Sequence, residues 1–393
     1  MNRLEQARVL FFMPHGDAQR GGVFASQVMG LARYIVGRGA ECLIFHCAPD
    51  RVQNGEEVYP HVRLLNLKEP VPHTNVFSCV RYYERVAERY YDSLESFRPT
   101  HIYTRHANVT LGARKLAKRL EAKLIYSMRG PDAHEIMMDG GWRNKIRALF
   151  AESWVRRAVK ICDVFSTLSS KERDWALAKY KKDGPMVPCC VEERFFNQGS
   201  VGERRKIRGD LHLKETDKVV IWCGSYALWQ RLPDIVQLMR DVCKLDDAWR
   251  VVFIARHAES RVKSLCDQFG FSGQFWRALS LDQPQVPEYL RACDIGINIL
   301  PLDDLHSETC SPVKIGEYLS SGLPVLISRT MGDMPGIIKR CAVGEVLSDE
   351  MNPLLALRQM EHLLAVPREV ARECARRNFL WESHHEAIVQ MFS

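Results

Sequence analysis

Residues 294–328 read DIGINILPLDDLHSETCSPVKIGEYLSSGLPVLIS and hold the pattern that decides the fold. An apolar strand opens this segment, a loop follows, and a helix over 311–322 leads into a second apolar strand over 323–328. Pro312 suits the first turn of the helix, and Gly322 suits its C-terminal end. Continuous apolar strands are typical of a parallel sheet that is buried on both faces. The segment therefore predicts a strand–helix–strand unit with helices packed on the sheet.

The same alternation of apolar strand and amphipathic helix runs through two blocks of the chain. The first block extends from the strand ARVLFFM at 7–13 to the strand-like stretch at 162–169. The alternation restarts with the strand KVVIWCGS at 218–225. Residues 187–213, between the two blocks, are polar, charged and irregular, so a domain boundary is expected there.

We therefore predict an α/β fold with two Rossmann-like, doubly wound parallel-sheet domains facing a central cleft. The first domain would span 1–195 and the second 196–372. The helical stretch 373–393 would return to the first domain. Ligands of such sheets bind at the C-terminal ends of strands, which directs attention to the loops that follow them.

Composition narrows the class of protein. Of the 393 residues, 46% are hydrophobic and 26% are charged, which is the balance of a globular protein. The net charge of +7 permits attraction to phosphates or to an anionic membrane, but it is too diffuse to indicate nucleic acid. The 13 cysteines form no CxxC pair and no zinc-like cluster, so reduced, buried thiols and no metal site are expected.

Targeting signals are not evident in the sequence. No apolar run reaches the roughly 18 residues of a membrane-spanning helix. The apolar stretch at 9–13 is too short for a signal peptide. These features predict a cytoplasmic protein.

The loop HGDAQRGG at 15–22 connects the first strand to the first helix. Gly21 and Gly22 let the backbone approach a ligand closely, and the helix that follows offers free N–H groups to a phosphate or a sugar hydroxyl. The spacing is not that of a dinucleotide-binding loop. A plain strand–helix turn is the alternative explanation.

Lys314 and Glu317 lie three residues apart and share one side of the predicted helix. A lysine can reach a phosphate oxygen, and a carboxylate accepts two hydrogen bonds, which suits the adjacent hydroxyls of a ribose. The alternative is a solvent-exposed ion pair that contributes at most about 1 kcal/mol. The position after a buried strand, at a helix N-terminus, favours a binding site.

The sequence SPVKIGEYLSSGLPV at 311–325 resembles the nucleotide-sugar signature of the retaining GT-B glycosyltransferases of group 1, or family 4. Supporting segments follow in the family's usual order: the Gly21–Gly22 loop, VPCCVEERFF, IWCGS with Trp229–Gln230–Arg231, VPEYLRACDIGINILP and the C-terminal helices. The resemblance covers nearly the whole chain and is strongest over 218–330.

This resemblance implies a metal-independent enzyme that transfers a sugar from a nucleoside diphosphate sugar to a glycan or lipid-linked acceptor, with retention of configuration and no cofactor. The second domain would bind the donor and the first the acceptor. Glu317 would hold the ribose, and Lys314 would face the diphosphate or the sugar. Arg231 would supply positive charge to the leaving phosphate. Further donor contacts would come from Gly224, Ser225, Ser311, Pro312 and Glu308.

The chain departs from the family pattern at two places. The family commonly has two glutamates eight residues apart, but Thr309 stands eight residues before Glu317, with the carboxylate at Glu308. Many members have a histidine at the end of the strand that here reads KLIYSMRG; this chain has Arg129, with His134 beyond it. Arg129 is therefore the candidate sugar or phosphate contact in the first domain.

Two further pairs of basic residues end predicted strands. Arg105 and His106 close THIYTRH, and His106 is either an active-site group or a structural hydrogen-bonding group. Arg256 and His257 close VVFIARH and would contact the nucleotide. We predict Arg231, Arg129 and His106 as catalytic, and Gly21, Gly22, Arg105 and His134 as the acceptor or phosphate site.

Basic residues recur on the predicted helices at 111–123 and 142–160, interleaved in the second with Trp142, Phe150 and Trp154. Such a face suits the inner surface of an anionic membrane and a lipid-linked acceptor. A solvated helix face is the alternative.

Two other functions remain open from the sequence. One is a catalytically degenerate partner subunit that binds a nucleotide sugar. The other is an epimerase or a phosphorylase of GT-B fold. A phosphorylase would need a pyridoxal-binding lysine, and the sequence shows no motif for one.

Overall fold

The computed structural model describes residues 4–14, 22–47, 57–67, 79–138, 140–348 and 351–393. The chain divides into two compact units. Unit 1 comprises Met1–Cys190 together with His384–Ser393, and unit 2 comprises Val191–Ser383. The division thus falls between Cys190 and Val191, and again after Ser383.

Unit 1 is built on a sheet of seven strands among the described residues, in the order β3-β4-β2-β1-β5-β6-β7. All neighbouring strands are parallel except β3 and β4, which form an antiparallel edge. The strands are β1 Arg8–Met13, β2 Glu41–Cys47, β3 Glu57–Tyr59, β4 Val62–Leu67, β5 His101–Thr104, β6 Lys123–Ser127 and β7 Val164–Ser166.

The helices of unit 1 connect these strands and cover the sheet. They are α1 Gly22–Val36, α2 Cys79–Arg89, α3 Tyr91–Ser96, α4 Ala107–Arg119, α5 Asp132–Met138, α6 Trp142–Ile161 and α7 Ser170–Tyr180, with the C-terminal helix His385–Met391, numbered α17.

Unit 2 is built on a wholly parallel sheet, with six strands among the described residues in the order β10-β9-β8-β11-β12-β13. The strands are β8 Lys218–Cys223, β9 Trp249–Ile254, β10 Trp276–Leu279, β11 Ile295–Asn298, β12 Val325–Ser328 and β13 Gly344–Leu347.

Helices cover both faces of this second sheet. They are α8 Val201–Asp210, α9 Leu232–Leu245, α10 Glu259–Gln268, α11 Val286–Ala292, α12 Leu305–Thr309, α13 Val313–Ser320, α14 Met334–Cys341, α15 Pro353–Leu364 and α16 Arg368–Phe379. Short 3-10 turns lie at Glu193–Phe196, Leu228–Gln230, Gln283–Gln285 and Trp381–His384.

Strand β8 is apolar from Val219 to Cys223 because both faces of its sheet are covered. Val219 and Ile221 belong to the core on one face of the sheet, and Val220 and Trp222 belong to the core on the other. All four side chains are fully buried. The continuous apolar run is therefore that of a strand covered on both faces, and the predicted fold of two doubly wound sheets is confirmed.

The structure corrects several predicted elements. The antiparallel edge strand β3 departs from the wholly parallel sheet predicted for the first domain. The charged, tyrosine-rich stretch over 79–97 has the pattern of a single helix, but the structure breaks it at Tyr90 into α2 and α3. Helix α13 begins only at Val313, and the expected loop before it contains the short helix α12, whose N-terminus is capped by Asp304. The start of α12 depends on this local hydrogen bond by a polar side chain, which apolar periodicity does not report.

Candidate active site

The carboxyl edge of the second sheet contains the point where its strand order reverses. From β8 the chain proceeds outward through β9 and β10, and from the neighbouring strand β11 it proceeds the other way through β12 and β13. Loops at such a reversal diverge and leave room for a ligand. Gly224 and Ser225 follow β8 at this point, and the Gly224 N–H donates to the Ile254 carbonyl at 3.0 Å.

Gly224 lies directly against the ammonium group of Lys314. A Cβ atom at position 224 would stand 2.8 Å from Lys314 Nζ and 3.0 Å from the Trp222 ring. The ammonium also lies over the Trp222 ring, 5.0 Å from its centroid, and donates to Gln230 Oε1. A larger residue at position 224 would therefore push the Lys314 ammonium out of its place.

Lys314 and Glu317 are one turn apart on α13, and both side chains are partly buried. Burial lowers the pKa of Lys314 to about 8, although Cys223 and Glu317 nearby act in the opposite direction. Burial also raises the pKa of Glu317 to about 7, against the opposing charges of Arg194 and Lys314. Both groups thus titrate near neutral pH, which is typical of functional sites.

Arg194 is a site residue that the sequence did not single out. It lies on the 3-10 turn Glu193–Phe196, which packs against α13. Its Nε is 3.2 Å from Glu192 Oε2, and its Nη1 donates to the Gln283 carbonyl at 3.4 Å. Only the resemblance of VPCCVEERFF to the family pattern pointed to this segment. Gln230, beside the predicted Arg231, was likewise part of a resembling segment but was not predicted to be a site residue.

Helix α12 contains Thr309, the residue that stands where the family pattern has a glutamate. The Thr309 side chain is buried, and its Oγ1 donates to the Leu305 carbonyl at 2.7 Å. Glu308, the predicted donor contact, is exposed on the outer side of this short helix. Asp304 caps the helix by accepting from Ser307 N at 3.0 Å.

The start of α13 follows directly. Ser311 is buried, and Pro312 is the N-cap residue of the helix. On the facing turn, the Trp229 ring lies 6.0 Å from that of His306 of α12, centroid to centroid. The structure thus brings together the 228–230 turn, α12 and the first turn of α13.

Arg231 follows Gln230 at the start of α9, with a left-handed backbone at φ +43°. Its Nε donates to Asp234 Oδ2 at 2.7 Å. The guanidinium is therefore held in place by a carboxylate of its own helix. Arg231 is adjacent in sequence to Gln230, which accepts a hydrogen bond from the Lys314 ammonium.

Arg256 and His257 lie at the end of β9. Arg256 Nη2 is 3.4 Å from Asp282 Oδ1. His257 is exposed, and its backbone N–H donates to Ser280 Oγ at 3.0 Å. Their contacts run to the loop after β10, on the side of β9 that faces away from β8.

Metal ligands do not come together in the parts of the chain that the structure describes: no group of three His, Cys, Asp or Glu side chains is suitably placed. The acidic pair Asp303–Asp304 is engaged otherwise. Asp303 Oδ1 accepts from Arg329 Nη2 at 3.1 Å, and Asp304 caps α12.

In unit 1 the strand order reverses between β1 and β5. Gly21 and the loop residues from His15 lie outside the described residues; Gly22 opens α1 with φ +86° and open space where a Cβ would stand. On the β5 side, Thr104 Oγ1 donates to the Ile125 carbonyl at 2.8 Å and fixes the end of β5 against β6. Arg105 and His106 follow at once.

Two arginines and a tyrosine meet at this edge. Arg129 Nη2 donates to the Tyr103 hydroxyl at 2.5 Å. Burial alone would raise the pKa of Tyr103, but Arg129 and Arg105 beside it lower that pKa overall. The Arg105 side chain is buried, and burial together with Arg129 lowers its pKa to about 10. Positive charge is therefore concentrated where β5 and β6 end.

His106 is the N-cap residue of α4, and its carbonyl accepts from Thr110 Oγ1 at 2.9 Å. Burial and the charge of Arg105 lower the pKa of the His106 ring to about 4, so the ring is neutral at neutral pH. Glu135 acts on it in the opposite direction. His134, the residue before Glu135, is partly exposed on α5.

Two carboxyl groups at the same edge were not predicted as site residues from the sequence. Glu172 is fully buried, accepts from the Leu168 N–H at 2.6 Å, and has a pKa that burial raises to about 8. Burial, with Glu135 nearby, raises the pKa of Asp132 to about 7. An N-cap serine followed by a glutamate three residues later, Ser169–Glu172, was the available signal for the first.

Part of the second unit matches a known protein family. Residues 203–379 match the family model of glycosyl transferases group 1. No curated protein sequence is significantly similar to this chain.

Solved structures with the same fold are numerous. Sucrose-phosphate synthase from Thermosynechococcus elongatus superposes with a TM-score of 0.76 at 14% identity, over 97% of this chain and 96% of that one. WaaG, a glycosyltransferase involved in lipopolysaccharide biosynthesis, gives 0.69 at 16% identity over 98% of both chains. HepE of Anabaena, in complex with UDP and glucose, gives 0.67 at 12% identity over 97% of both.

The structural similarity covers nearly the whole of each chain, whereas the family match lies within the second unit. At such low identity the similarity shows a shared fold, and that fold is GT-B. The family match over 203–379, which contains the Lys314–Glu317 helix, is independent of it. Residues 203–379 therefore match the group 1 glycosyl transferase family, and the chain as a whole has the GT-B fold.

Proposed function

We propose that this protein transfers a sugar from a nucleoside diphosphate sugar to a glycan or a lipid-linked acceptor, with retention of configuration and without a metal ion. One observation carries the proposal. At the reversal of strand order in unit 2, a partly buried ammonium and carboxylate lie on one helix, with Gly224 directly against the ammonium. This is a site for a ligand with both anionic and hydroxyl groups.

The donor is held by unit 2. Glu317 accepts hydrogen bonds from the two ribose hydroxyls, and Lys314 neutralises the diphosphate. The backbone at Gly224 and Ser225 borders the diphosphate, as do Ser311 and Pro312 at the start of α13. Structures of similar fold support this class of donor, since HepE is described with UDP and glucose, and starch synthase IV from Arabidopsis thaliana with ADP and acarbose.

The transfer step requires little acid or base from the protein. The bond from the anomeric carbon to the phosphate oxygen breaks, and the acceptor oxygen bonds to that carbon on the same face. The acceptor proton passes to the leaving phosphate oxygen. Arg231, oriented by Asp234, and Lys314 stabilise the charge that develops on the diphosphate.

The acceptor is held by unit 1. The proposal assigns its binding to the Arg105–Arg129 edge, with the neutral ring of His106 as a hydrogen-bonding group. Positioning of the acceptor hydroxyl is then the contribution of this unit. Gly22 and His134 border the same edge of the sheet in the proposal.

The test is donor binding by the intact protein. A thermal-shift panel of UDP-, GDP- and ADP-sugars identifies the base, and titration calorimetry then compares the wild type with Glu317→Ala. Loss of a charged acceptor should weaken binding by roughly 1.5–3 kcal/mol. Glu361→Ala, an exposed glutamate of α15, is the matched control. Unchanged affinity in Glu317→Ala would remove the assigned donor site.

Metal independence is tested by measuring turnover of the sugar donor. Turnover should be equal before and after exhaustive treatment with EDTA. A loss that Mg²⁺ or Mn²⁺ restores contradicts this part of the proposal.

A second candidate function is a partner subunit that binds a nucleotide sugar without turnover. The observation that favours it is Thr309, which is buried and bonded to the main chain where the family pattern has a carboxylate. Donor binding without release of nucleoside diphosphate, with any acceptor supplied, is the expected result in that case. An epimerase would instead change the sugar without an acceptor.

Membrane association also belongs to the proposal. No helix in the described parts of the chain is long and apolar enough to span a bilayer. The proposed place of action is the cytoplasm, at the inner face of the membrane when the acceptor is lipid-linked.

A further inference from the structure

The first half of α6 turns large apolar side chains toward solvent. Trp142, Ile146 and Leu149 are 68%, 43% and 73% exposed. Their spacing of four and three residues places them on one side of the helix. On its other side, Ala148 and Ala151 are buried against the rest of unit 1. The helix is therefore docked, and its outward apolar stripe is left uncovered.

This stripe differs from the one expected from the sequence. Trp142 does face solvent, but Phe150 and Trp154 are partly buried, and Trp154 packs against the hydrophobic core. We call Trp142, Ile146 and Leu149 the α6 stripe. A stripe of this kind is the apolar half of an amphipathic surface helix.

Basic side chains flank the α6 stripe. Arg143, Lys145 and Arg147 are exposed between its members, and residues 142–151 include no acidic residue. The single acid of the helix, Glu152, is paired with Arg156 at 3.0 Å and with Lys179 at 2.7 Å. The last turns of the helix add further exposed basic residues, Arg157 and Lys160. The exposed side of α6 is therefore strongly positive.

This combination favours one kind of partner. Apolar side chains inserted at the boundary of headgroups and acyl chains, with arginine and lysine beside them, match an anionic bilayer. A tryptophan is well suited to that boundary. A second copy of the chain is disfavoured, because a two-fold contact along α6 would bring the arginines and lysines of both copies together.

We propose that the α6 stripe inserts into the surface of an anionic lipid bilayer, with Arg143, Lys145 and Arg147 against the headgroups. Its purpose rests on the proposed function, since it would bring unit 1 to a lipid-linked acceptor. Binding to vesicles is nevertheless independent of donor binding. The two therefore fail or succeed separately in experiments.

Co-sedimentation with vesicles tests the proposal on the full chain. Phosphatidylcholine vesicles containing phosphatidylglycerol should bind the wild type, and phosphatidylcholine alone should bind it weakly. Leu149→Ser should weaken binding about tenfold. Replacing Arg143, Lys145 and Arg147 by Gln should weaken it about fivefold per charge and flatten its dependence on salt.

Leu354→Ser, at a leucine of α15 in unit 2 that is 56% exposed, is the matched control and should bind like the wild type. Quenching of tryptophan fluorescence by brominated lipids should be lost largely in Trp142→Phe, which places the stripe at the bilayer surface. No binding to anionic vesicles at low salt overturns the proposal. So does equal weakening by Leu354→Ser, or concentration-dependent dimerisation that Leu149→Ser abolishes without any vesicle binding.

Discussion

At the scale of single residues, Lys314 and Glu317 are the most informative pair. Burial moves their pKa values toward each other, to about 8 and about 7, so both are charged together only in a narrow range. A bound diphosphate would stabilise the ammonium, and ribose hydroxyls would favour the ionised carboxylate. The site is thus completed by its proposed ligand, because the protein alone does not fully compensate these buried charges.

Affinity for the nucleotide sugar should therefore be highest between about pH 7 and about pH 8. Above pH 8 the free site loses the Lys314 proton and with it the attraction to the diphosphate. Below pH 7, Glu317 gains a proton and becomes a weaker acceptor. Calorimetric titration with a nucleotide sugar over a range of pH measures this.

Glu317→Gln should remove the acidic limb of that profile while the alkaline limb stays. Lys314→Arg should move the alkaline limb upward, because the guanidinium keeps its proton. A profile that is flat from about pH 6 to about pH 9 contradicts the assignment of both groups.

At the scale of elements, a buried arginine helps to hold α8 to the sheet of unit 2, together with Arg204 of the same helix, whose Nη2 lies 2.7 Å from Asp294 Oδ1. Arg208 is 1% exposed, and its Nη2 contacts Asp294 Oδ2 at 2.8 Å. It also donates to the carbonyls of Ala292 and Asp217, both at 3.0 Å. Because Asp294 precedes β11 and accepts from Val219 N in β8, this network fixes α8 against the strands that form the reversal point.

Arg208→Leu should lower the free energy of unfolding by about 2 kcal/mol or more, because it removes one of the arginines paired with Asp294 and leaves several buried carbonyls without their donor. Arg205→Leu on the same helix should change it by less than about 0.5 kcal/mol, since Arg205 is exposed and lies 3.9 Å from Glu215. Urea unfolding followed by fluorescence measures both. Similar losses for the two variants would show that helix propensity, and not the buried network, stabilises α8.

At the scale of the whole molecule, two separate segments of the chain form unit 1. After completing unit 2 at Ser383 it returns to unit 1 with His384–Ser393. Ile388, Met391 and Phe392 are buried there, and the Phe392 ring lies 5.8 Å from that of His101 at the start of β5. The Tyr34 hydroxyl is 3.0 Å from His385 Nδ1. Unit 1 is thus complete only when the last residues have been added.

Removal of residues 384–393 should destabilise unit 1 by about 5 kcal/mol, from three buried side chains at roughly 1.5–3 kcal/mol each. Hydrogen exchange should accelerate in β5 and remain slow in β8. Phe392→Ala should give a smaller change with the same distribution. Equal acceleration in both units would contradict the assignment of this segment to unit 1.

The fold could be predicted because its cause is local. Strands such as β8 contain a continuous apolar run, here Val219–Cys223, and the helices between them are amphipathic, so the parallel sheets follow from periodicity. The edge strand β3 and the break at Tyr90 could not be predicted in this way, because short edge strands and helix breaks leave no long apolar pattern. Lys314 and Glu317 were found because their spacing places them on one side of a helix.

The sequence by itself determined two doubly wound sheets and the basic and acidic residues at the ends of their strands. Only the tertiary structure decided that Gly224 lies against Lys314, that Arg194 comes near Glu317, and that Thr309 turns into the protein while Glu308 faces solvent. The physical reason is that periodicity records which face of an element is buried. Contacts between residues far apart in the chain depend on how the elements pack, and no local pattern carries that information.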